Sequence, residues 1–331
     1  MMASEKVVGA KKRRLDVRQV VRDHGIVIGF VIIVVLLSVA EPNFSRPANL
    51  INVLRQVSCI GIATLGVGFL IIMSGIDLGL GSTLALVGIM AGRVVSTGVE
   101  YGGLGLSTPL GFLAGIATAV TVSLFAGVIV AKARIPAFIV TMGTMSIGRG
   151  LALIFAHGMP VAKFPNSFNY LGTESLGPIP WPVIIYVITI LVAWFILNKR
   201  PLGRYIYAVG SNEEAARAAG INVDRVKIKT YILEGIAVGI AGVLFAGRVK
   251  SAAPQFANGY ELDAIAGCII GGVSFSGGIG NVSDMIIGAL LLGVINNGMD
   301  LLGVEAFYKQ VVKGAIIVIA VLIDRNRTGR A

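Results

Sequence analysis

The sequence predicts an all-α membrane protein with about ten transmembrane helices, short or broken helices at glycine-rich turns, and cytoplasmic N- and C-termini. Three observations carry this expectation. Only 14% of the 331 residues are charged and 55% are hydrophobic, whereas a soluble domain needs about 25% charged residues to wet its surface. Apolar runs of spanning length recur along the chain. Lys and Arg cluster in alternate connectors, as the positive-inside rule requires.

The apolar runs fall near 24–40, 50–72, 82–97, 109–131, 135–156, 181–198, 229–249, 262–273, 282–300 and 307–323. Ten crossings that start inside also end inside. The inner segments then hold seven, two, seven and three of the 28 Lys/Arg residues: the N-terminal tail, Lys132 and Arg134, the loop 199–229, and the segment after 323. The chain divides into a basic cytoplasmic tail (1–23), a single transmembrane domain (24–325) containing the loop 199–229, and a short cytoplasmic tail (326–331). Lys11-Lys12-Arg13-Arg14 followed by an apolar run and Ser38-Val39-Ala40 resembles a secretory signal. The many later spans favour a first membrane helix.

The net charge of +11 sits in tails and connectors, so it predicts contact with membrane lipid and argues against nucleic acid. Cys59 and Cys268 lie in separate apolar runs and read as reduced packing residues. No metal-ligand spacing and no catalytic cluster is evident. The 44 glycines suit close helix contacts and interrupted helices.

Two glycine turns stand out. Ser74-Gly75-Ile76-Asp77-Leu78-Gly79 joins the second and third runs, and Ser276-Gly277-Gly278-Ile279-Gly280 follows the eighth. That eighth run is too short to cross ~30 Å at about 1.5 Å per residue. Irregular backbone at membrane depth must be buried in protein or line a cavity, and a repeated broken segment points to a transport route. Asp77, Gly75, Asn297, Ser276 and Gly277 are the pathway or gate candidates. For Asp77, a cap on the broken helix and a place at the inner gate are both open. Arg55, Arg93 and Arg248 are expected to snorkel from outer helix ends, Arg149 lies deeper, and Glu234 and Asp284 are expected near inner water. The outer segment His157–Pro180, rich in aromatic residues, reads as a cap over the bundle or a landing surface.

In the loop 199–229, Ser211 and Glu214 have capping-box spacing. Asn212, Glu213 and Glu214 open a small-sided run, Ala215, Ala216, Arg217, Ala218 and Ala219, and Gly220 suits a left-handed stop. The spacing predicts a two-turn helix, too short to stand alone in water, that docks on its own bundle or on a partner.

Glu214-Ala215-Ala216, three residues and Gly220 resemble the coupling segment of ATP-binding-cassette (ABC) importer permeases. The runs Leu202–Gly210 and Gly220–Val223, Ser74–Leu78, Gly259–Ala266 and Gly271-Gly272 with Ser276–Gly278 resemble the ribose-type (simple sugar) permease family over roughly 45–325. The pattern departs from the family at Gly79-Leu80 and Ile279. The resemblance implies a permease in the bacterial inner membrane that carries a monosaccharide such as ribose. It also implies a cytoplasmic ABC ATPase, a periplasmic or extracellular sugar-binding protein and a second permease subunit, either another copy of this chain in a homodimer or a related permease. No phosphate-binding loop occurs, so no cofactor is expected on this chain; ATP and Mg belong to the partner ATPase. Arg204 and Arg217 are expected to pair with it, and Glu214→Pro is the disruption expected to uncouple transport.

Overall fold

The structure, a computed structural model, describes residues 17–98 and 102–328; most of the basic N-terminal tail and residues 329–331 lie outside them. It is mostly helical, with thirteen helices: α1 (Val17–Ala40), α2 (Pro47–Ile72), α3 (Leu80–Val95), α4 (Thr108–Lys132), α5 (Ala137–Phe155), α6 (Asn166–Thr173), α7 (Trp181–Lys199), α8 (Pro201–Ser211), α9 (Glu213–Ala218), α10 (Val223–Val249), α11 (Tyr260–Gly271), α12 (Val282–Leu301) and α13 (Ala306–Thr328). Helices α2, α4, α5, α7, α10 and α12 are long and apolar enough to cross a membrane. The other predicted spans correspond to the apolar stretch Gly25–Ala40 of α1, to α3, to the 12-residue α11 and to the more charged α13.

Enclosure sorts these helices into layers. Most of α2 is buried, while α5 and α7 turn most of their surface outward. Exposed Phe138, Ile147, Val187, Leu191 and Phe195 form part of an apolar outer face, which suits lipid where water would reject it. The tightly packed centre is α10 against α4, α2 and α3. Small residues make that approach possible: a Cβ on Gly239 would crowd the Ile116 backbone, and one on Gly235 the Ser123 side chain. Packing rather than apolar burial from water holds such a bundle.

Helix α10 has 27 residues, about 40 Å of length at 1.5 Å per residue, more than the hydrocarbon thickness. Its first two turns carry Asp224, Arg225, Lys227 and Lys229 and extend past the apolar part. At the other end, α6 and a two-residue hairpin, β1 (Ser175–Leu176) with β2 (Ile179–Pro180), cover the bundle. Phe168 is buried and meets Phe164 edge-on, with ring centroids 5.3 Å apart, and Phe112 at 5.1 Å. This segment is therefore a packed cap, anchored by a bridge between Val161 and Ala252.

The arginines behave differently from the snorkelling expectation. Arg93 donates to the Phe155 carbonyl at 3.0 Å, and Arg55 to Ser175 Oγ at 3.0 Å. Arg149 donates to the Pro254 and Phe256 carbonyls. Arg55 and Arg149 tie helices to the connectors at that end of the bundle, and Arg93 ties α3 to the last residue of α5. The connector carbonyls lack helical partners, and a guanidinium, which keeps its charge and five donors, satisfies them.

Candidate functional site

The two glycine turns, 200 residues apart in sequence, meet at one end of the bundle. Ser74 Oγ, at a left-handed position, donates to the Gly210 carbonyl at 2.8 Å and the Ser276 carbonyl at 3.0 Å. The Gly278 amide donates to the Ile72 carbonyl at 2.8 Å. A Cβ on Gly210 would land on that same Ile72 carbonyl, and Gly277, at φ +85°, lies against Ser74 and Gly210. Three segments thus interlock backbone to backbone: the ends of α2 and α8 and the turn after α11. Tyr207 of α8 adds a bond from its hydroxyl to the Gly280 carbonyl at 2.5 Å.

Helix α9 is attached directly to this junction. The cap differs from the expected one. Ser211 belongs to the end of α8, and Asn212 is the N-cap, its side chain accepting from the Ala215 amide at 2.9 Å. The hydroxyl loses because α8, absent from the single-helix expectation, continues through Ser211. Gly220 ends the segment at φ +84° as expected, and Asn222 caps α10 through the Arg225 amide at 3.0 Å.

Charges fix the angle between α9 and α10. Lys227 Nζ meets Glu213 Oε2 at 2.7 Å, and Arg217 reaches Glu213 Oε1 and Asp224 Oδ1, each at 3.2 Å. Pairs this exposed add little stability, so their effect is orientation. Arg217 is therefore engaged within the chain, because Glu213 stands four residues before it and Asp224 lies in the first turn of α10. Arg204 and Glu214 are exposed and have no ionic partner among the described residues. Partial burial raises the Glu213 carboxyl pKa, but the Lys227 and Arg217 bonds outweigh this and hold it below the usual carboxylate range. A depressed carboxylate keeps its stabilising effect above its unfolded pKa and loses it as pH falls through the folded value. Amide exchange in 213–219, corrected for intrinsic rates, should be unchanged from pH 8 to 5 and accelerate only below about pH 4. Accelerated exchange between pH 7 and 5 would contradict the clamp.

A cavity of about 490 Å³ connects these parts, with Ser74, Gly75, Ser276, Glu213, Lys227 and Tyr231 among its lining. Gly75 and Ser276 thus border open space. Asp77 does not: it is buried, and its Oδ1 accepts from the Gly79 amide at 2.7 Å, capping the broken helix. Beside it Glu234 is fully buried, contrary to the expected proximity to water, and accepts from Ser123 Oγ at 2.6 Å. Asp77 and Glu234 are thus neighbours inside the bundle, one on the broken turn and one on α10. Nothing in the pattern of residues pointed to this proximity, since the two lie in different segments. Asn297 of α12, a pathway candidate by sequence, exchanges side-chain bonds with Asn49 of α2 at 2.9 and 3.0 Å and so joins the two helices.

A bundle of apolar helices with interrupted turns, and a charged, capped helix at one end, defines a multi-pass membrane protein. Residues 49–321 match the family model described as "Branched-chain amino acid transport system / permease component", and the chain belongs to that family. It is a transport permease, not an enzyme. Among similar proteins, the ribose import permease protein RbsC of Escherichia coli K12 is 40% identical over 304 residues, covering 91% of this chain and 92% of that protein. RbsC of Bacillus subtilis 168 is 37% identical over 321 residues, covering 96% and 97%. The L-arabinose transport system permease protein AraH of E. coli K12 is 35% identical over 319 residues, covering 96% and 95%. No solved structure matches significantly.

Proposed function

We propose that the chain is the membrane-spanning subunit of a binding-protein-dependent ABC importer and carries a monosaccharide, ribose or a related pentose, across a bacterial inner membrane. The observation that carries this reading is the attachment of α9 to both glycine turns through one junction and one cavity. The similarity to ribose and arabinose permeases supports the substrate class.

In this reading the chain crosses the membrane ten times with both termini inside, and residues 24–325 form one permease domain. A cytoplasmic ATPase, which binds ATP and Mg, docks on α9, where Arg204 and Glu214 are free to pair with it. A sugar-binding protein delivers substrate at the capped end, and a second copy of the chain completes the pathway. Closure of the ATPase moves α9, and the α8 backbone passes the motion to Ser74, Gly75, Ser276 and Gly277 at the inner gate. Asp77 holds the broken helix, and Asn297 keeps α12 on α2.

Uptake into vesicles tests this reading. It should require ATP, the ATPase and the binding protein. Uptake driven by a proton gradient alone would replace it with a secondary transporter. The helix-breaking position also moves. Glu214 lies in the first turn, where an amide has no intrahelical partner and proline is tolerated. Ala216 is buried, and its amide bonds the Asn212 carbonyl at 3.0 Å. Ala216→Pro should therefore abolish uptake while leaving membrane insertion intact, and normal uptake by that variant would remove α9 from the coupling route.

A further inference from the structure

The unpaired cations at the charged end do not all face the coupling helix. Arg200, at the end of α7, and Arg225 and Lys229, in the first two turns of α10, line a second cavity of about 710 Å³ that holds no carboxylate. None of the three has an ionic partner among the described residues, whereas Lys227 and Arg217 are both paired. Three like charges around one open volume repel one another unless an anion enters it.

The floor of this cavity is apolar and continues along the bundle. Ile196 and Leu233 line it and also line an adjoining groove of about 160 Å³, which runs between α7 and α10 over Leu65 and Phe69 of α2. Among the described residues, Thr189 supplies the groove's only side-chain hydroxyl, and it is spent on the Ile185 carbonyl at 2.8 Å. The outer wall, Val192 and Ile236, is exposed on the lipid-facing surface. The depth of the cavity is marked by cations stacked on rings, Lys199 over Trp194 at 5.5 Å and Arg200 over Phe195 at 4.8 Å. Aromatic rings with basic neighbours mark the headgroup level.

We propose that Arg200, Arg225 and Lys229, with the groove between α7 and α10, form a binding site for an anionic phospholipid of the cytoplasmic leaflet. The phosphate takes the basic cavity and one acyl chain takes the groove. A free phosphate explains the cations but leaves the groove without an occupant, and a zwitterionic lipid leaves the cations uncompensated. Basic pockets between helices on the cytoplasmic side are suited to anionic headgroups. The leaflet follows from the orientation proposed above; the site itself does not depend on which sugar is carried. A lipid seated there would touch the linker between α9 and α10, and so the base of the coupling helix.

Native mass spectrometry of the delipidated full chain, titrated with phosphatidylglycerol or phosphatidylethanolamine, tests the site. Phosphatidylglycerol should be retained at least about ten-fold better. The triple variant Arg200→Gln, Arg225→Gln, Lys229→Gln should bring the two lipids within about two-fold. Val192→Trp, which keeps every charge but fills the groove, should also lower phosphatidylglycerol retention. The pair Lys199→Gln, Arg204→Gln, which removes charge from the same loop outside the cavity, should leave it unchanged. Equal retention by the wild type and the triple variant overturns the proposal. Displacement of the lipid by millimolar inorganic phosphate makes the cavity a free-anion site and also overturns it. Release of the lipid on assembly with the ATPase assigns the cavity to that subunit, with the same consequence. Uptake is not read in this experiment, so a wrong sugar assignment would leave the result standing.

Discussion

Gly210→Val should reduce uptake to about one per cent of wild type while the protein inserts and remains monodisperse. The valine Cβ would occupy the position of the Ile72 carbonyl, which already accepts from the Gly278 amide. The Gly210 carbonyl in turn accepts from Ser74. No rotamer relieves a clash at Cβ, so α8 must back away from both glycine turns. The expected loss is on the order of two decades in transport, as follows when a positioning contact worth about 3 kcal/mol is lost. Gly220→Ala provides the contrast. Gly220 has open space around it and only its left-handed φ to defend, which costs about 1–2 kcal/mol. Its uptake should fall far less. Equal uptake by both variants would show that the α8 junction does not transmit the motion.

The second large effect concerns the fold. A Cβ on Gly288 of α12 would land on the Gly267 carbonyl of α11, and one on Gly271 would land on the Asp284 carbonyl. Helices α11 and α12 therefore touch backbone to backbone, an approach that small residues allow. Gly288→Leu must separate them, and since α11 also supports α2 and α13, the strain spreads. Overpacking costs about 1–3 kcal/mol or more, and a marginally stable bundle has little to spare. The variant should give little monodisperse protein on detergent size-exclusion chromatography. A wild-type profile would show that α11 can move away from α12 without cost. The same substitution at Gly143 of α5, which has nothing within 4 Å, should be tolerated.

The short α11 was legible because a dozen apolar residues cannot span the hydrocarbon core, and the glycines after it signal a turn. The coupling segment was legible in outline from its alanines and Gly220. Its cap was misplaced by one residue because Ser211 and Asn212 are both good caps, and only the extent of α8 decides between them. Of the two pairs that Arg217 makes, the one with Asp224 was not legible because that residue lies on the next helix.

The sequence by itself determined that the chain lives in a membrane, where its interruptions fall, and which loop carries the small-sided helix. These follow from composition, run length and turn chemistry, all of which are local. Only the tertiary structure decided that the two glycine turns meet each other and the end of α8, that Asp77 meets Glu234, and that one face of α10 is paired while the other is free. Those contacts join residues up to some 200 positions apart, and hydropathy patterns carry no information about which helix faces which.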